Sequence, residues 1–318
     1  MPRALVTGGG GFIGSHVVDG LLDEGYDVRI LDSFATGRRE NIAHLREVDL
    51  MEGDIQSYER VHNATRGCEV VLHQAALPSV PRSVQDPLMT NSVNITGTLN
   101  VLLAARDHEV RRVVYASSSS IYGANLTLPK AETLKPSPIS PYAVSKLAAE
   151  SYCQTFHRVY GLECVALRYF NIFGPRQDPN SQYSAVVPRF IHAVLDGRRP
   201  IVFGDGEQSR DFTFVDNVVR ANLRAISAPG AAGEVFNVAR GDRATLNDML
   251  RNLGELLDTT VEPEYRPPRP GDVPHSHADI SKAREILGYD PEVSFEEGLR
   301  RTLESVVEAR DRAGAPVR

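Results

Sequence analysis

The chain has 318 residues, of which 42% are apolar and 24% charged, and its formal net charge at pH 7 is −6. This length and composition are typical of one large globular domain or of two closely associated ones. The negative charge argues against a broad nucleic-acid-binding surface. Because no run of about 18 apolar residues occurs, we also expect no membrane association.

The three cysteines, Cys68, Cys153 and Cys164, lie among apolar residues and form no CxxC pair. We therefore expect reduced thiols packed as small apolar groups, with no disulfide and no metal site. The N-terminal segment shows no basic stretch followed by an apolar stretch and a cleavage site, and a strand-like run begins at Ala4. These features predict a cytoplasmic location.

The first half of the chain alternates short apolar, β-branched runs with helical patterns. Strands are predicted over residues 3–7, 27–31, 69–73, 113–116 and 164–167. Helices are predicted over residues 16–24, 94–106 and 142–159. Buried strands that alternate with helices predict an α/β fold with a Rossmann-type, doubly wound parallel sheet.

The second half of the chain is less regular. Proline and glycine cluster at 174–179, 198–206 and 266–274, which we interpret as loops. Residues 212–226 indicate a return to the first domain. We assign residues 1–170 with about 209–235 to the Rossmann domain and about 171–208 with 236–318 to a smaller C-terminal α/β lobe, and expect the ligand cleft between them.

A glycine-rich string joins the first strand to the first helix. In Thr7-Gly-Gly-Gly-Gly-Phe-Ile-Gly14, Gly8 suits the tight turn, Gly11 lets the backbone approach a pyrophosphate, and Gly14 permits close helix packing. The free N–H groups of the helix N-terminus favour the anion. The strand–turn–helix context predicts a dinucleotide site.

Asp32, at the end of the second strand, predicts which dinucleotide binds. Its carboxylate can accept hydrogen bonds from ribose hydroxyls and would repel a 2′-phosphate, which favours NAD over NADP. Arg38 and Arg39 could bind that phosphate, but we interpret them as solvated surface residues. Asp54 and Ile55 follow a further strand that lies between those at 27–31 and 69–73, and either flank the adenine or form an ordinary strand end.

Tyr142 and Lys146 are candidate catalytic residues. Ser140 and Pro141 are a favourable N-cap and first residue, so a helix begins here and places Tyr142 and Lys146 on one face. A lysine ammonium beside a phenol lowers the phenol pKa, which would make Tyr142 a usable base. Upstream, the serine string 117–120 follows a strand and could hold a reacting oxygen beside the phenol.

With these motifs in place, the chain resembles the extended short-chain dehydrogenase/reductase family, and within it the UDP-hexose 4-epimerases. The resemblance runs nearly end to end and is carried by the glycine string, His73-Gln-Ala-Ala76, Asn94-Ile-Thr-Gly-Thr98, Ser117–Gly123, Ser140-Pro-Tyr142 with Lys146, Leu167-Arg-Tyr-Phe-Asn171, Gly204-Asp-Gly206 with Ser209-Arg-Asp-Phe212, and Arg269-Pro-Gly-Asp-Val273.

The resemblance implies roles for individual residues. NAD would be contacted by Gly8, Gly11, Phe12, Ile13, Gly14, Asp32, Asp54, Ile55, Gln74, Ala75, Ala76, Asn94, Lys146 and Tyr169. Catalysis would rest on Ser118, Tyr142 and Lys146. The UDP-sugar would be bound by Ser79, Ser118, Tyr142, Asn171, Ala185, Val186, Phe190, Arg210, Arg269, Asp272 and Ser276.

The implied reaction is C4 epimerisation. Tyr142 removes the 4-hydroxyl proton while hydride passes from C4 to NAD, the 4-keto sugar turns over, and hydride returns to its opposite face. Dehydratases and UDP-glucuronate decarboxylases of this family carry acidic residues just after the first hydroxyl of the serine string, where this chain has Ser119 and Ser120. Epimerisation without elimination is therefore favoured.

The sugar is less clearly indicated. The small Ser276 and the segments 79–83 and 183–188 resemble those of epimerases that accept N-acetylhexosamines, whereas Pro78 departs from that pattern. We expect UDP-glucose/galactose or their N-acetyl forms. UDP-glucuronate is the main alternative, although Asp178 would oppose its carboxylate.

Two other functional classes remain open, a non-catalytic NAD- or nucleotide-sensing module and a reductase that consumes NAD(P)H. Retention of both Tyr142 and Lys146 argues against the sensor. The resemblance also implies a homodimer, in which the helices at 94–106 and 142–159 pack as a four-helix bundle.

Overall fold

The fold is described from a computed structural model, which describes residues 1–46, 48–178, 186–268 and 274–312. In chain order the strands are β1 (Arg3–Thr7), β2 (Asp27–Asp32), β3 (Asp49–Glu52), β4 (Val70–His73), β5 (Arg112–Ser118), β6 (Glu163–Tyr169), β7 (Ile172–Phe173), β8 (Ile201–Phe203), β9 (Ser209–Arg210), β10 (Thr213–Phe214), β11 (Val235–Val238), β12 (Ala244–Thr245) and β13 (Glu264–Arg266). The α-helices are α1 (Phe12–Asp23), α2 (Tyr58–Thr65), α3 (Val80–Gln85), α4 (Pro87–Asn91), α5 (Gly97–Asp107), α6 (Pro141–Tyr160), α7 (Val186–Leu195), α8 (Val215–Ser227), α9 (Leu246–Leu256) and α10 (Phe295–Arg312).

Seven strands form one parallel sheet in the order β11-β6-β5-β4-β1-β2-β3. The order reverses between β1 and β4, which is the arrangement of a doubly wound nucleotide-binding sheet. Strand side chains alternate between the two faces, so Val6 packs with α1 and α8, whereas Leu5 packs with α2, α5 and α6. The predicted Rossmann-type fold is confirmed.

Helix α6 shows how the local sequence fixes an element beside the site. The Ser140 side chain accepts a hydrogen bond from the N–H of Ala143, Pro141 is the first helical residue, and Gly161 ends the helix with a left-handed φ of 70°. The helix is 20 residues long and begins and ends within one residue of the prediction. Its buried side chains pack against β5 and β6.

The remaining strands form three small two-stranded pairs around a third apolar cluster. β10 pairs with β7, β12 with β9 and β13 with β8. The cluster contains Phe173, Phe212, Phe214 and Phe295, and the rings of Phe212 and Phe295 stack with centroids 5.2 Å apart. Helices α7, α9 and α10 supply the aliphatic side chains that surround these rings.

Part of the sequence-based description of this region is wrong. Residues 198–206 were predicted as a loop, but they contain β8, whose three residues pair in parallel with β13. A three-residue strand flanked by proline and glycine has no periodicity long enough to recognise. Strand β11 lies in the main sheet and extends to residue 238, beyond the boundary placed at about 235. The division into two functional lobes stays a prediction.

All three cysteines are buried free thiols, as expected. Within the described ranges, no helix is both long enough and apolar enough to cross a bilayer. In the same ranges, no group of three or more histidine, cysteine or acidic side chains is arranged to hold a metal ion.

Candidate active site

The carboxyl ends of four neighbouring strands bring the candidate residues together. Thr7 of β1 is in register with His73 of β4, and Ser118 of β5 is in register with Tyr169 of β6. Loops that follow parallel strands leave the sheet at this edge, which is where ligands bind in doubly wound folds. The glycine turn, Gln74, the serine string and Asn171 therefore lie along one edge.

The glycine turn after β1 is shaped by close backbone contacts. Gly8 has a φ of 74°, and a Cβ there would lie 2.7 Å from the backbone nitrogen of Ala75. A Cβ on Gly14 would lie 2.0 Å from the carbonyl oxygen of Gly8. Gly11 is the N-cap of α1, with no side chain to cover the first N–H groups of that helix. This cradle suits a pyrophosphate.

Asp32 is buried at the end of β2, beside the glycine turn. Its carboxylate accepts hydrogen bonds of 2.7 Å from the N–H groups of Gly10 and Phe34. Burial raises the pKa of Asp32, and the bonds from Phe34 and Gly10 oppose that increase. Arg38 and Arg39 lie nearby with half-exposed side chains, and Arg39 pairs with Glu52 at 2.5 Å.

A buried polar triangle links β4, β6 and α8. Asn222 donates from Nδ2 to the Tyr169 hydroxyl at 2.8 Å, and Gln74 donates from Nε2 to Asn222 Oδ1 at 3.0 Å. The Tyr169 hydroxyl can then donate to Gln74 Oε1 at 3.2 Å. Each of the three side chains fixes the other two, so the predicted cofactor contacts Gln74 and Tyr169 are held in defined orientations.

The other predicted cofactor contacts lie around this edge. Asn94 is buried, accepts from the N–H of Leu77 at 2.8 Å and donates to Ser145 Oγ at 3.0 Å, so it ties the loop after β4 to helix α6. Asp54 accepts from the backbone and side chain of Gln56. Further members are the half-buried Phe12 and Ile13 at the start of α1, the buried Ile55, and Ala75 and Ala76 after β4.

The serine string ends β5 and orients one hydroxyl towards the phenol. Ser118 Oγ accepts hydrogen bonds from the N–H of Ser120 at 3.1 Å and from its hydroxyl at 2.8 Å. Because both lone pairs are then occupied, the Ser118 hydroxyl is left to donate. Ser118 makes a hydrogen bond with Tyr142 that lowers the pKa of the phenol.

The expectation of a phenol pKa below its ordinary value at Tyr142 is wrong for this arrangement. Burial raises the pKa of Tyr142, because a phenolate is poorly solvated here, and only the bond with Ser118 opposes the increase. Lys146 Nζ instead donates to the carbonyl oxygen of Ala116 at 2.8 Å. Burial lowers the pKa of Lys146 to about 8.

A cavity of about 260 Å³ lies beside β7 and α7, in the region assigned to the nucleotide. It is lined by Asn171, Val186, Phe203, Gln208, Arg210 and Phe212, among others. Arg210 donates from Nη1 to the carbonyl oxygens of Ser209 and Pro274, at 2.9 and 3.0 Å. The structure thus brings the predicted residues Asn171, Val186 and Arg210 to one cavity.

Other predicted substrate residues are placed differently. Phe190 is buried in the third apolar cluster and does not line the cavity. Ser79 caps helix α3 by accepting from the N–H of Arg82 at 3.2 Å. Ser276 Oγ lies 3.4 Å from Asn171 Nδ2. The predicted contacts Ala185, Arg269 and Asp272 lie outside the described residues.

Comparison with known proteins identifies the family to which this chain is related. A family model described as the NAD dependent epimerase/dehydratase family matches residues 4–239. The chain belongs to this family. The resemblance inferred from the sequence motifs is therefore confirmed.

Three solved structures of epimerases are closely similar to this family member. The UDP-glucose 4-epimerase of Thermotoga maritima, solved with UDP-glucose, is 41% identical with a TM-score of 0.92, covering 96% of this chain and 99% of that one. The UDP-N-acetylglucosamine 4-epimerase of Methanobrevibacter ruminantium, solved with UDP-N-acetylmuramic acid, is 40% identical with a TM-score of 0.92, covering 97% and 99%. The UDP-glucose 4-epimerase of Thermus thermophilus, solved with NAD, is 38% identical with a TM-score of 0.88, covering 96% and 99%.

Several residues that organise the site of this epimerase/dehydratase family member were missed in the sequence. Asn222 orients Gln74 and Tyr169, and Glu150 anchors α6 beneath the serine string. Asp211 is buried and accepts from the N–H groups of Arg240 and Ala278, which positions the segment that contains Ser276. Burial raises the pKa of Asp211 to about 6. Asp211 lies in the Ser209–Phe212 motif, but the sequence analysis gave it no role of its own. Asn222 and Glu150 act across the fold, so local spacing carried no signal for those two residues.

Proposed function

We propose that this chain catalyses NAD-dependent epimerisation at C4 of a UDP-sugar through a transient 4-keto sugar. The observation that carries the proposal is the arrangement at the end of β5, where a donating Ser118 hydroxyl meets the Tyr142 phenol one helical turn from Lys146. This set lies on the same sheet edge as the glycine cradle and Asp32. A base for the sugar hydroxyl and a dinucleotide site therefore share one cleft.

The residues around the glycine turn fit NAD. Added Cβ atoms at Gly8 and Gly14 would collide with the backbone of Ala75 and Gly8, so the shape of the turn that would hold the pyrophosphate depends on these glycines. Asp32 would hold the adenosine ribose and disfavour a 2′-phosphate. The remaining contacts would come from Gly11, Phe12, Ile13, Asp54, Ile55, Gln74, Ala75, Ala76, Asn94, Lys146 and Tyr169. When bound, NAD supplies the acceptor and donor for the C4 hydride.

Residues of the protein transfer the proton of the sugar 4-hydroxyl. Tyr142 acts as general base in its phenolate form, which accepts the 4-hydroxyl proton and returns it after the ketone has turned. Ser118 donates to the phenol oxygen or to the sugar oxygen, which stabilises the negative charge that develops between them. Lys146, whose ammonium form predominates below about pH 8, adds positive potential beneath the site.

The serine string supports epimerisation over elimination. Ser119 and Ser120 follow Ser118, and the Ser120 hydroxyl is engaged with Ser118 Oγ. Neither supplies a carboxyl acid or base for removal of water or carbon dioxide from the sugar. This chain therefore lacks, at this position, the acidic residue that dehydratases and decarboxylases of the family carry.

The substrate region supports a neutral UDP-hexose or its N-acetyl form. Arg210 and Asn171 line the cavity assigned to the UDP part, Val186 lines its apolar side, and Ser276 is small. Ser79, Phe190, Ala185, Arg269 and Asp272 complete the proposed substrate set. UDP-glucuronate is the alternative substrate. Asp178, which the sequence suggested would oppose its carboxylate, pairs with Arg38 at 3.9 Å and does not line the cavity.

The decisive experiment incubates the purified protein with UDP-glucose, UDP-N-acetylglucosamine or UDP-glucuronate and no added cofactor, and resolves products by NMR. We expect the 4-epimer of one of the first two. Tyr142→Phe removes the base and should lower kcat by about 10²- to 10⁴-fold, whereas Tyr160→Phe, an exposed tyrosine at the end of the same helix, should retain it. Strict dependence on stoichiometric NADPH would refute the proposal.

We also propose a homodimer through the helices at 94–106 and 142–159. Along α6 the side chains of Val144 and Tyr152 are 50% and 37% exposed, although both are apolar or aromatic. Exposed apolar side chains in one row on a helix mark an association surface. A second copy of the same helix pair would cover them symmetrically.

A further inference from the structure

Tyr115 lies directly beneath the catalytic lysine. It is in the middle of β5 and only 1% exposed. Its ring centroid lies 5.1 Å from Lys146 Nζ and 5.6 Å from the centroid of the His73 ring. A cation within about 6 Å of an aromatic centroid is attracted by the negative face of the ring.

Lys146 has few other partners to stabilise its charge. Nζ donates to the carbonyl oxygen of Ala116, and among the described residues no carboxylate forms an ion pair with it. A bare ammonium at 4% exposure would lose most of its solvation. The ring of Tyr115 therefore replaces a substantial part of the water that would otherwise solvate the Lys146 ammonium group.

The titratable groups that face Lys146 do not supply a negative charge. His73, from β4, has its pKa lowered to about 3 by burial and is neutral. On α6 itself, a hydrogen bond with Cys164 of β6 and burial raise the pKa of the Cys153 thiol, so it is neutral, and Tyr142 is protonated in the resting site. Glu150, also on α6, forms an ion pair with Arg168 of β6 at 2.7 Å.

We propose that the π face of Tyr115 is a positioning element that keeps Lys146 in its ammonium form and holds Nζ against β5. The consequence for turnover rests on the proposed function, because it matters only if Tyr142 works as a base beside a charged Lys146. Replacing the electron-rich ring should make Lys146 lose its proton at lower pH. The pH above which activity is lost should then fall as well.

The hydroxyl of Tyr115 provides a matched control. It is buried and has no hydrogen-bond partner among the described residues. Tyr115→Phe keeps the ring face and removes only this unpaired group, so the titration of Lys146 should stay in place. Tyr115→Leu removes the face as well, and should lower the pKa of Lys146 by about one unit.

Because leucine could also disturb packing, a series of equal shape makes the test sharper. Phenylalanine, 4-fluorophenylalanine and 3,4,5-trifluorophenylalanine at position 115 have nearly the same size, while fluorination progressively weakens the negative ring face. The chain contains only four lysines, Lys130, Lys135, Lys146 and Lys282. Uniform [13Cε]lysine labelling therefore gives few signals, and Lys146→Arg assigns the one of interest.

The pKa of Lys146, followed by 13C NMR from pH 6 to 11, should fall stepwise with each added fluorine. The alkaline limb of kcat should shift in the same order. Superimposable titrations across the series would overturn the proposal about Tyr115. The NMR readout needs no turnover, so an ordered shift in a protein inactive on every UDP-sugar would refute the proposed function and leave the role of Tyr115 standing.

Discussion

The hydrogen-bond partners of His73, the last residue of β4, determine which of its two ring nitrogens carries the proton. Thr98 Oγ1 donates to the carbonyl oxygen of Asn94 at 2.6 Å, so its contact with His73 Nε2 at 2.9 Å must be one that it accepts. Nε2 therefore carries the proton, and Nδ1 accepts from the Thr7 hydroxyl at 2.7 Å. A second ring proton would have no acceptor, which agrees with the low pKa.

This arrangement predicts a specific acid sensitivity. The pKa of His73 is lowered to about 3 in the folded chain, by burial and by the charge of Lys146. Between about pH 6.5 and 3 the unfolded chain binds a proton that the folded chain does not, so stability falls by up to about 1.4 kcal/mol per pH unit. Urea denaturation at pH 7.5 and 5.0 should show that His73→Asn loses about 2 kcal/mol less than the wild type over this interval. Parallel pH dependences for the two proteins would contradict the assignment.

Gly14 is the residue at which a single methyl group should do the most damage to the cofactor turn. Its added Cβ meets the backbone oxygen of Gly8, which cannot move without opening the turn. Gly20, on the same helix, is a matched control, because its added Cβ meets the flexible side chains of Val219 and Leu223. We expect Gly14→Ala to lose copurifying NAD, measured by absorbance after acid release. Gly20→Ala should keep it, and equal NAD content in both variants would contradict the role of the turn.

At the scale of elements, helix α6 is attached to the sheet by a buried ion pair. Arg168 of β6 and Glu150 of α6 are 2.7 Å apart, with side chains only 5% and 3% exposed. Ser117 of β5 also donates to Glu150 at 2.7 Å, and Arg168 donates to the Tyr122 hydroxyl at 2.8 Å. Helix α6 and the serine string are thereby held by one polar network.

Breaking this pair on one side should be costly. Glu150→Gln leaves a buried guanidinium without its counter-charge, and should lower the free energy of unfolding by about 3–5 kcal/mol. The double variant Glu150→Leu/Arg168→Met removes both charges and should recover much of that loss. Urea denaturation of Glu150→Leu, Arg168→Met and the double variant measures the coupling. Additive losses would show that the pair contributes no specific stability.

The elements that the sequence predicted well are those with long periodic patterns or explicit caps. The five central strands were recognised from β-branched runs, and the start of α6 was recognised from Ser140 and Pro141. Helix α2 and the short helices α3 and α4 were not, and the helix predicted over 94–106 begins with a π-turn at Ser92–Thr96. Strands β8 and β13 exist only because each pairs with the other across about 60 residues of chain, which no local window can contain.

The part of the candidate site that could be predicted from the sequence consists of residues in contiguous motifs. The glycine turn, Asp32, Tyr142 and Lys146 were predicted from motif spacing, whereas Ser118 was assigned from the family resemblance, and all of them are found at one sheet edge. Asn222, Glu150 and Tyr115 act through contacts between distant elements, and an asparagine, glutamate or tyrosine in a helix or strand has no sequence signature for that task. The phenol pKa was mispredicted for the same reason, because spacing along α6 says nothing about burial.

At the scale of the whole molecule, the sheet concentrates the proposed chemistry at one edge and leaves the outer face of α6 for association. The inner face of that helix is packed through Ala149, Cys153 and Phe156, so the exposed Val144 and Tyr152 are not needed for the monomer core. A paired copy would bury them and, by confining α6 on both sides, would steady the helix that positions Tyr142. Association and catalysis would then be linked through one element.

A charge placed on that face should separate the two copies. We expect the wild type to sediment as a dimer at micromolar concentration and Val144→Glu/Tyr152→Glu to sediment as a monomer, since a glutamate is poorly tolerated inside an apolar contact. Leu256→Glu, which changes a 38% exposed side chain at the end of α9, is the matched control and should stay dimeric. Circular dichroism separates loss of association from loss of folding, because the double variant should keep its helical signal. A wild type that sediments as a monomer, or a charged variant that stays dimeric, would place the association surface elsewhere or remove it altogether.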